Sequence, residues 1–251
     1  MNLKDMKLDS KIKLMIYGSS GSGKTVAAVT FPKPLHVCDF DGKVKSAAAY
    51  WLDKEPAMIE GVTFENYRQS EDRRVIAEFN TWLRTMREFS EEDFPYKTIV
   101  VDSLTTLAEA LLREIIRENP QTNRTFPDVP AMQDYLVNKT RFTQIITNIL
   151  ALPCNVVVVA HVSLDKDEVT GEMMKSPLLS GKLASIIPVL FDELYHAYTL
   201  KKDDRLLYVA QTRPDNGYIA RTQIPGMAEK VPLTYKSIEK AMMKKEKQND
   251  N

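Results

Sequence analysis

Cysteine is scarce. The 251 residues hold two, Cys38 and Cys154, each inside an apolar run that reads as a strand. Two thiols so placed point to buried free cysteines rather than to a disulfide or a metal site. Net charge is absent as well: Lys+Arg and Asp+Glu both count 34. The chain as a whole is no polycation, so any nucleic-acid contact must come from a local patch. No apolar run approaches the roughly 20 residues that span a bilayer. The first residues alternate Lys and Asp with apolar side chains and lack the apolar stretch of a signal peptide. The cytoplasm is the expected compartment. There is no internal repeat and no linker, so one domain is expected over 1–235, followed by a Lys-rich C-terminal helix or tail over 236–251. Hydrophobic residues at 43% and charged residues at 27% are ordinary for a soluble globular chain.

What is present is a phosphate-binding loop. Gly18-Ser19-Ser20-Gly21-Ser22-Gly23-Lys24-Thr25 matches G-x-x-x-x-G-K-[ST] in full. It lies between an apolar strand, Lys11 to Tyr17, and a helix starting at Thr25-Val26. Backbone N–H groups of such a loop and the helix N-terminus cradle phosphates. Lys24 would reach the β- and γ-phosphates, and the Thr25 hydroxyl would bind Mg²⁺. The candidate nucleotide contacts are Gly18 to Thr25 with Val26. A chance match in a chain of this length is on the order of one in a hundred, and the strand-loop-helix setting argues further against a plain Gly/Ser turn.

Strands and helices alternate along the chain. Leu35 to Asp39 reads as a second strand and Ser46 to Leu52 as a short helix. Val62 to Tyr67 reads as a third strand, with Ser70, Glu71 and Asp72 opening the helix after it. Thr98 to Asp102 and Val156 to Ala160 are near-continuous apolar strands, the mark of a sheet covered on both faces. The helix after Asp102 has Ser103 as its cap and stops at Pro120. Met132 to Leu152 is a long amphipathic helix, and Gln121 to Pro130 a loop. Residues 162–180 read as a hairpin or mobile loop. Phe191 to Leu200 and Leu206 to Thr212 read as an antiparallel pair, and Asn216-Gly217 as a turn. The expected class is α/β, a P-loop NTPase with a mostly parallel central sheet flanked by helices. Its ligand would sit at the carboxyl ends of the strands.

Those ends carry polar residues. Asp102 follows four apolar residues, the Walker-B pattern, and would hold Mg²⁺ beside Thr25. Asp41 and Asp39 are candidates for the base that activates the attacking water, Asp41 being favoured because it lies past the strand end. An Asp-Gly turn is the competing reading of Asp41-Gly42. His161 ends its strand, where it would sense the γ-phosphate or serve as a structural histidine.

Ile99 to Leu104 resembles the Walker-B segment of RecA-type recombinases. Asp39-Phe40-Asp41 lies where that family carries an acid-x-acid segment ending in the catalytic carboxylate, usually Glu. His161 falls where it carries a γ-phosphate sensor, usually Gln, followed by a mobile DNA-binding loop. Ser180-Gly181-Lys182-Leu183-Ala184, Ile187-Pro188, Phe191-Asp192-Glu193 and Ala220-Arg221-Thr222 resemble phage and prophage nucleotide-binding proteins with a bare RecA core. Those include ATP-dependent single-strand annealing recombinases. The resemblance covers about residues 11 to 225 and implies a RecA-like core, ATP and Mg²⁺ as cofactors, and the cytoplasm of a bacterial host. It implies single-stranded DNA as partner, alongside a single-strand-binding protein. It also implies a homo-oligomeric ring or filament in which Arg213, or alternatively Arg221, reaches the neighbour's γ-phosphate. Arg124, Lys166, Lys175 and Lys182 are then candidate phosphate contacts for DNA. Tyr135 or Phe126 would stack on bases, loop or core packing being the default for both.

Three other readings share the phosphate loop. An AAA+-type helicase loader or remodeller would carry an acidic pair after its Walker-B strand, whereas Asp102 is followed by Ser103. A guanine-reading switch would carry N-K-x-D, whereas Asn138-Lys139-Thr140-Arg141 lacks the Asp. A small-molecule kinase needs a lid, for which 162–180 is available.

Overall fold

The computed structural model describes residues 11–68, 74–120, 126–166 and 173–249. Strand β1 (Lys13–Gly18) runs into the phosphate loop and helix α1 (Lys24–Ala28). Then come β2 (Leu35–Asp39), α2 (Val44–Lys54), β3 (Val62–Asn66), α3 (Val75–Glu88) and β4 (Thr98–Asp102). They are followed by α4 (Leu104–Glu118), α5 (Met132–Leu150), β5 (Asn155–Ala160) and a hairpin, β6 (Val162–Lys166) and β7 (Met173–Pro177). The short α6 (Leu183–Ile186), β8 (Glu193–Lys202), β9 (Arg205–Gln211), β10 (Lys230–Pro232) and α7 (Tyr235–Asn249) complete the chain.

Eight strands form one sheet in the order β10-β9-β8-β1-β5-β4-β2-β3. The six from β8 to β3 are parallel, and β9 turns back antiparallel on β8. Alternate residues of the central strands feed two cores. Met15, Val101 and Val158 pack with α3, α4 and α5, while Leu14, Ile16, Val100 and Val157 pack with α1, α2 and α7. Burial on both faces explains why β1, β4 and β5 read as unbroken apolar runs. Both cysteines are buried and free, and burial lifts the Cys154 thiol to about 11. No described helix is long and apolar enough to cross a membrane.

The first helix is short. It ends at Ala28, and the Thr30 hydroxyl donates to the Ala27 carbonyl at 2.7 Å. A hydroxyl competing for backbone groups just ahead of Pro32 closes the helix early. The 162–180 stretch is a hairpin at its base, with β6 and β7 pairing from Val162↔Pro177 to Lys166↔Met173. Asn216 and Gly217 both take positive φ, 50° and 78°, the turn their dipeptide predicts. The candidate cap Ser70, with Glu71 and Asp72, lies outside the described residues.

Candidate functional site

Strand order places the chemistry. Because β5 lies between β1 and β4, the carboxyl ends of all three converge. They deliver the phosphate loop, His161 and Asp102 to one cavity of about 280 Å³, also lined by Asp41, Tyr50 and Tyr208. Gly18 closes on the neighbouring strand, where a Cβ would run into the Ala197 carbonyl. Lys24 is 7% exposed, and its ammonium donates to the carbonyls of Gly18 (2.9 Å) and Ser19 (2.7 Å) and to the Ser22 hydroxyl (3.4 Å). Burial lowers the Lys24 pKa to about 8, against the opposing pull of the Asp102 and Asp41 charges.

Thr25 Oγ1 donates to Asp102 Oδ2 at 2.5 Å. Burial lifts the Asp102 carboxyl to about 6; the Thr25 hydrogen bond opposes the rise, and the charges of Asp41 and Asp39 add to it. A buried carboxylate beside a hydroxyl at the mouth of a phosphate loop is a set of hard oxygen donors that fits Mg²⁺. The oxygens of Thr25 and Asp102 would hold it.

The two acids after β2 part company. Asp39 accepts the backbone N–H groups of Lys43 (3.1 Å) and Val44 (3.0 Å) and so anchors the start of α2. Asp41 lies beyond the strand, where Gly42 (φ 69°) turns the chain. Asp41 Oδ1 accepts from Ser103 Oγ at 2.8 Å and from Thr106 Oγ1. Its Oδ2 pairs with His161 Nε2 at 3.1 Å, and Lys43 Nζ lies 3.6 Å away. Burial alone would raise the Asp41 pKa, but the hydrogen bonds of His161, Thr106 and Ser103 outweigh it and hold the carboxyl well below its ordinary value. A carboxylate this fully engaged is a weak proton acceptor. Asp41 as placed holds His161, and both side chains line the cavity.

Two lining residues carry no motif. The Tyr208 ring lies so near the loop that a Cβ on Gly23 (φ 83°) would come 2.5 Å from its Cδ1. Tyr50, on α2, meets Tyr208 edge-on with ring centroids 6.2 Å apart. Their only sequence signal is an aromatic in an element that begins on the cavity side of the sheet. Base–aromatic stacking is worth about 1–3 kcal/mol, so Tyr208→Ala is expected to weaken binding of a fluorescent ATP analogue about tenfold. Tyr208→Phe should bind as the native chain does. Unchanged affinity in the alanine variant would remove the ring from the nucleotide site.

The same residues fall within a known family. An AAA domain family model matches residues 10–224. The chain belongs to this AAA domain family. No curated protein matches. Among solved structures, a KaiC-like protein from the hyperthermophilic archaeon Pyrococcus horikoshii aligns over 88% of this chain and 84% of its own, at 11% identity and TM-score 0.48. With its sheet and loop, the AAA domain chain is an α/β P-loop NTPase that binds nucleotide.

The remaining candidates are scattered. Arg213 is exposed just past β9. Arg221 is tied inward: its Nη2 donates to the carbonyls of Pro188 (3.0 Å) and Phe191. Lys175 on β7 donates to the Asn216 carbonyl (3.1 Å) and sits 4.3 Å over the Tyr218 ring, so its charge is already engaged. Lys182 is exposed ahead of α6. Of Lys166 only the backbone is described, and Arg124 lies outside the described residues. Phe126 (64% exposed) and Tyr135 (41%) lie on the surface rather than in the core.

Proposed function

We propose that the chain is a Mg²⁺-dependent ATPase of phage DNA recombination. It binds single-stranded DNA and promotes annealing or strand pairing as a ring or filament in the bacterial host cytoplasm, beside a single-strand-binding protein. The observation that carries the reading is the continuity at His161. Its side chain faces the nucleotide cavity, and the next residue begins the β6–β7 hairpin. A change at the γ-phosphate is thereby one residue from a hairpin available to DNA. Lys182, exposed in the segment after the hairpin, is a candidate contact for the strand's phosphates, and Arg213 is the candidate for reaching a neighbour's γ-phosphate.

Mg²⁺, when bound, neutralises charge on the phosphates. Lys24 binds the β/γ-phosphates, and the loop N–H groups orient them. His161, held by Asp41, contacts the attacking water or the γ-phosphate, and Tyr50 and Tyr208 flank the base. The test is steady-state ATP hydrolysis with and without single-stranded DNA at fixed salt. Stimulation by the strand is the expected result. Hydrolysis indifferent to DNA would favour the second reading, an AAA+-like loader or remodeller, which the family match keeps open although Ser103 replaces the second acid. A P-loop kinase would instead show phosphoryl transfer to a small acceptor.

A further inference from the structure

The first turn of α4 carries three hydroxyls, on Ser103, Thr105 and Thr106. Two of them, three residues apart and so on one helix face, hold Asp41 Oδ1. The third points elsewhere. Thr105 is 5% exposed and does not line the nucleotide cavity. Its Oγ1 accepts the backbone N–H of His161 at 3.1 Å and donates to the carbonyl of Leu178 at 3.0 Å. The Leu178 N–H in turn donates to the His161 carbonyl at 2.8 Å. His161 and Leu178 are thus the rung just below the first hairpin pair, Val162↔Pro177. Thr105 spans that rung with one donor and one acceptor.

We propose that Thr105 is a positioning residue: it sets His161 against Asp41 and couples the Walker-B helix to the base of the β6–β7 hairpin. The proposal rests on the reading of Asp41 and His161 as the working pair. Both members are referenced to one turn of one helix, Asp41 through its carboxylate and His161 through its backbone. A site held in this way keeps its geometry only while the turn grips both, and displacements below an ångström matter at a reacting centre. The hairpin has a separate tether. The Lys175 N–H donates to the Gly217 carbonyl at 2.9 Å and its carbonyl accepts from the Ile219 N–H at 3.3 Å, while the Tyr17 hydroxyl donates to the Ile219 carbonyl at 2.6 Å. Loss of the Thr105 hydroxyl therefore leaves the hairpin docked but frees its His161 end.

Thr105→Val removes the hydroxyl at nearly constant shape, and Thr105→Ser keeps it. In the full-length chain, with active sites counted by nucleotide binding, Thr105→Val is expected to lower kcat roughly ten- to a hundredfold. KM for ATP should stay within about threefold, since the phosphate grip is untouched. Thr105→Ser should restore kcat to within about threefold of the native chain. ATP-dependent hydrogen-exchange protection at residues 162–166 should be lost in the valine variant and kept in the serine one. A merely structural threonine would lower Tm without moving kcat per bound nucleotide. Native kcat in Thr105→Val, a parallel rise in KM, or a serine variant as impaired as the valine would each overturn the proposal. Should the valine variant not fold, Thr105→Ala carries the same expectations. His161→Ala separates the two levels. Native kcat in that variant sinks the catalytic pair itself, and an impaired His161→Ala beside an unimpaired Thr105→Val sinks Thr105 alone.

Discussion

Lys24→Ala is expected to stop ATP hydrolysis, lowering kcat at least about a thousandfold, the upper range for removing one charge-stabilising donor. The fold should survive. The lysine stem is buried, but burial lowers its pKa to about 8, so its charge disfavours the nucleotide-free fold rather than supporting it. The sign follows from linkage. A lysine whose folded pKa lies below its unfolded value binds fewer protons folded than unfolded between about pH 8 and 10.4. Stability of the native chain should therefore rise with pH across that window, and this rise should vanish in the alanine variant. Nucleotide binding needs the ammonium, so ATP affinity should fall as pH climbs past 8. Binding above pH 8 should also take up a proton, seen by calorimetry in two buffers of different ionisation enthalpy. Native turnover in Lys24→Ala would overturn the site. Absence of proton uptake would mean that Lys24 keeps its charge while folded back on Gly18 and Ser19.

The parts legible in the sequence are those whose physics is local. The phosphate loop is contiguous, and its strand and helix are its own neighbours in the chain. Asp102 is marked by the four buried residues before it. Other features depend on register across distant segments. Tyr208 meets Gly23 only because β8 pairs with β1, and β9 returns beside it. That β2 stops at Asp39 and leaves Asp41 beyond it is legible, but where each acid goes is not. The turn at Gly42 then sends one acid to the backbone of α2 and the other to α4. Arg221 reads as a free basic residue in a late strand, and nothing local reveals the carbonyls of residues 188–191 that engage it. Ser103 reads correctly as a cap, but its second bond, to a residue 62 positions earlier, is a tertiary fact.

Asp41→Asn and His161→Ala should act as one lesion. Each is expected to lower kcat by about 10²–10⁴, the range for losing a positioned proton-transfer group, while nucleotide affinity stays near native. Asparagine keeps an oxygen for Ser103 and Thr106 but removes the carboxylate from the face that pairs with His161 at 3.1 Å. The imidazole then loses the charge that orients it, even though the backbone around it is unchanged. If Asp41 works only through His161, the double variant should be no slower than the worse single one, because groups acting as a unit are non-additive. If Asp41 acted alone as the base, the losses would instead multiply. The pair is also where the depressed Asp41 pKa becomes visible. The carboxylate stays ionised far into the acid range, so its bonds to Ser103, Thr106 and His161 persist there. Their contribution to stability is fully present above the ordinary aspartate pKa, about 3.9, and is lost progressively as pH falls from there through the lower folded value. Acid unfolding of Asp41→Asn should accordingly have a shallower pH dependence below pH 4 than that of the native chain. An identical acid profile in the two proteins would show that the carboxylate is not held in this way.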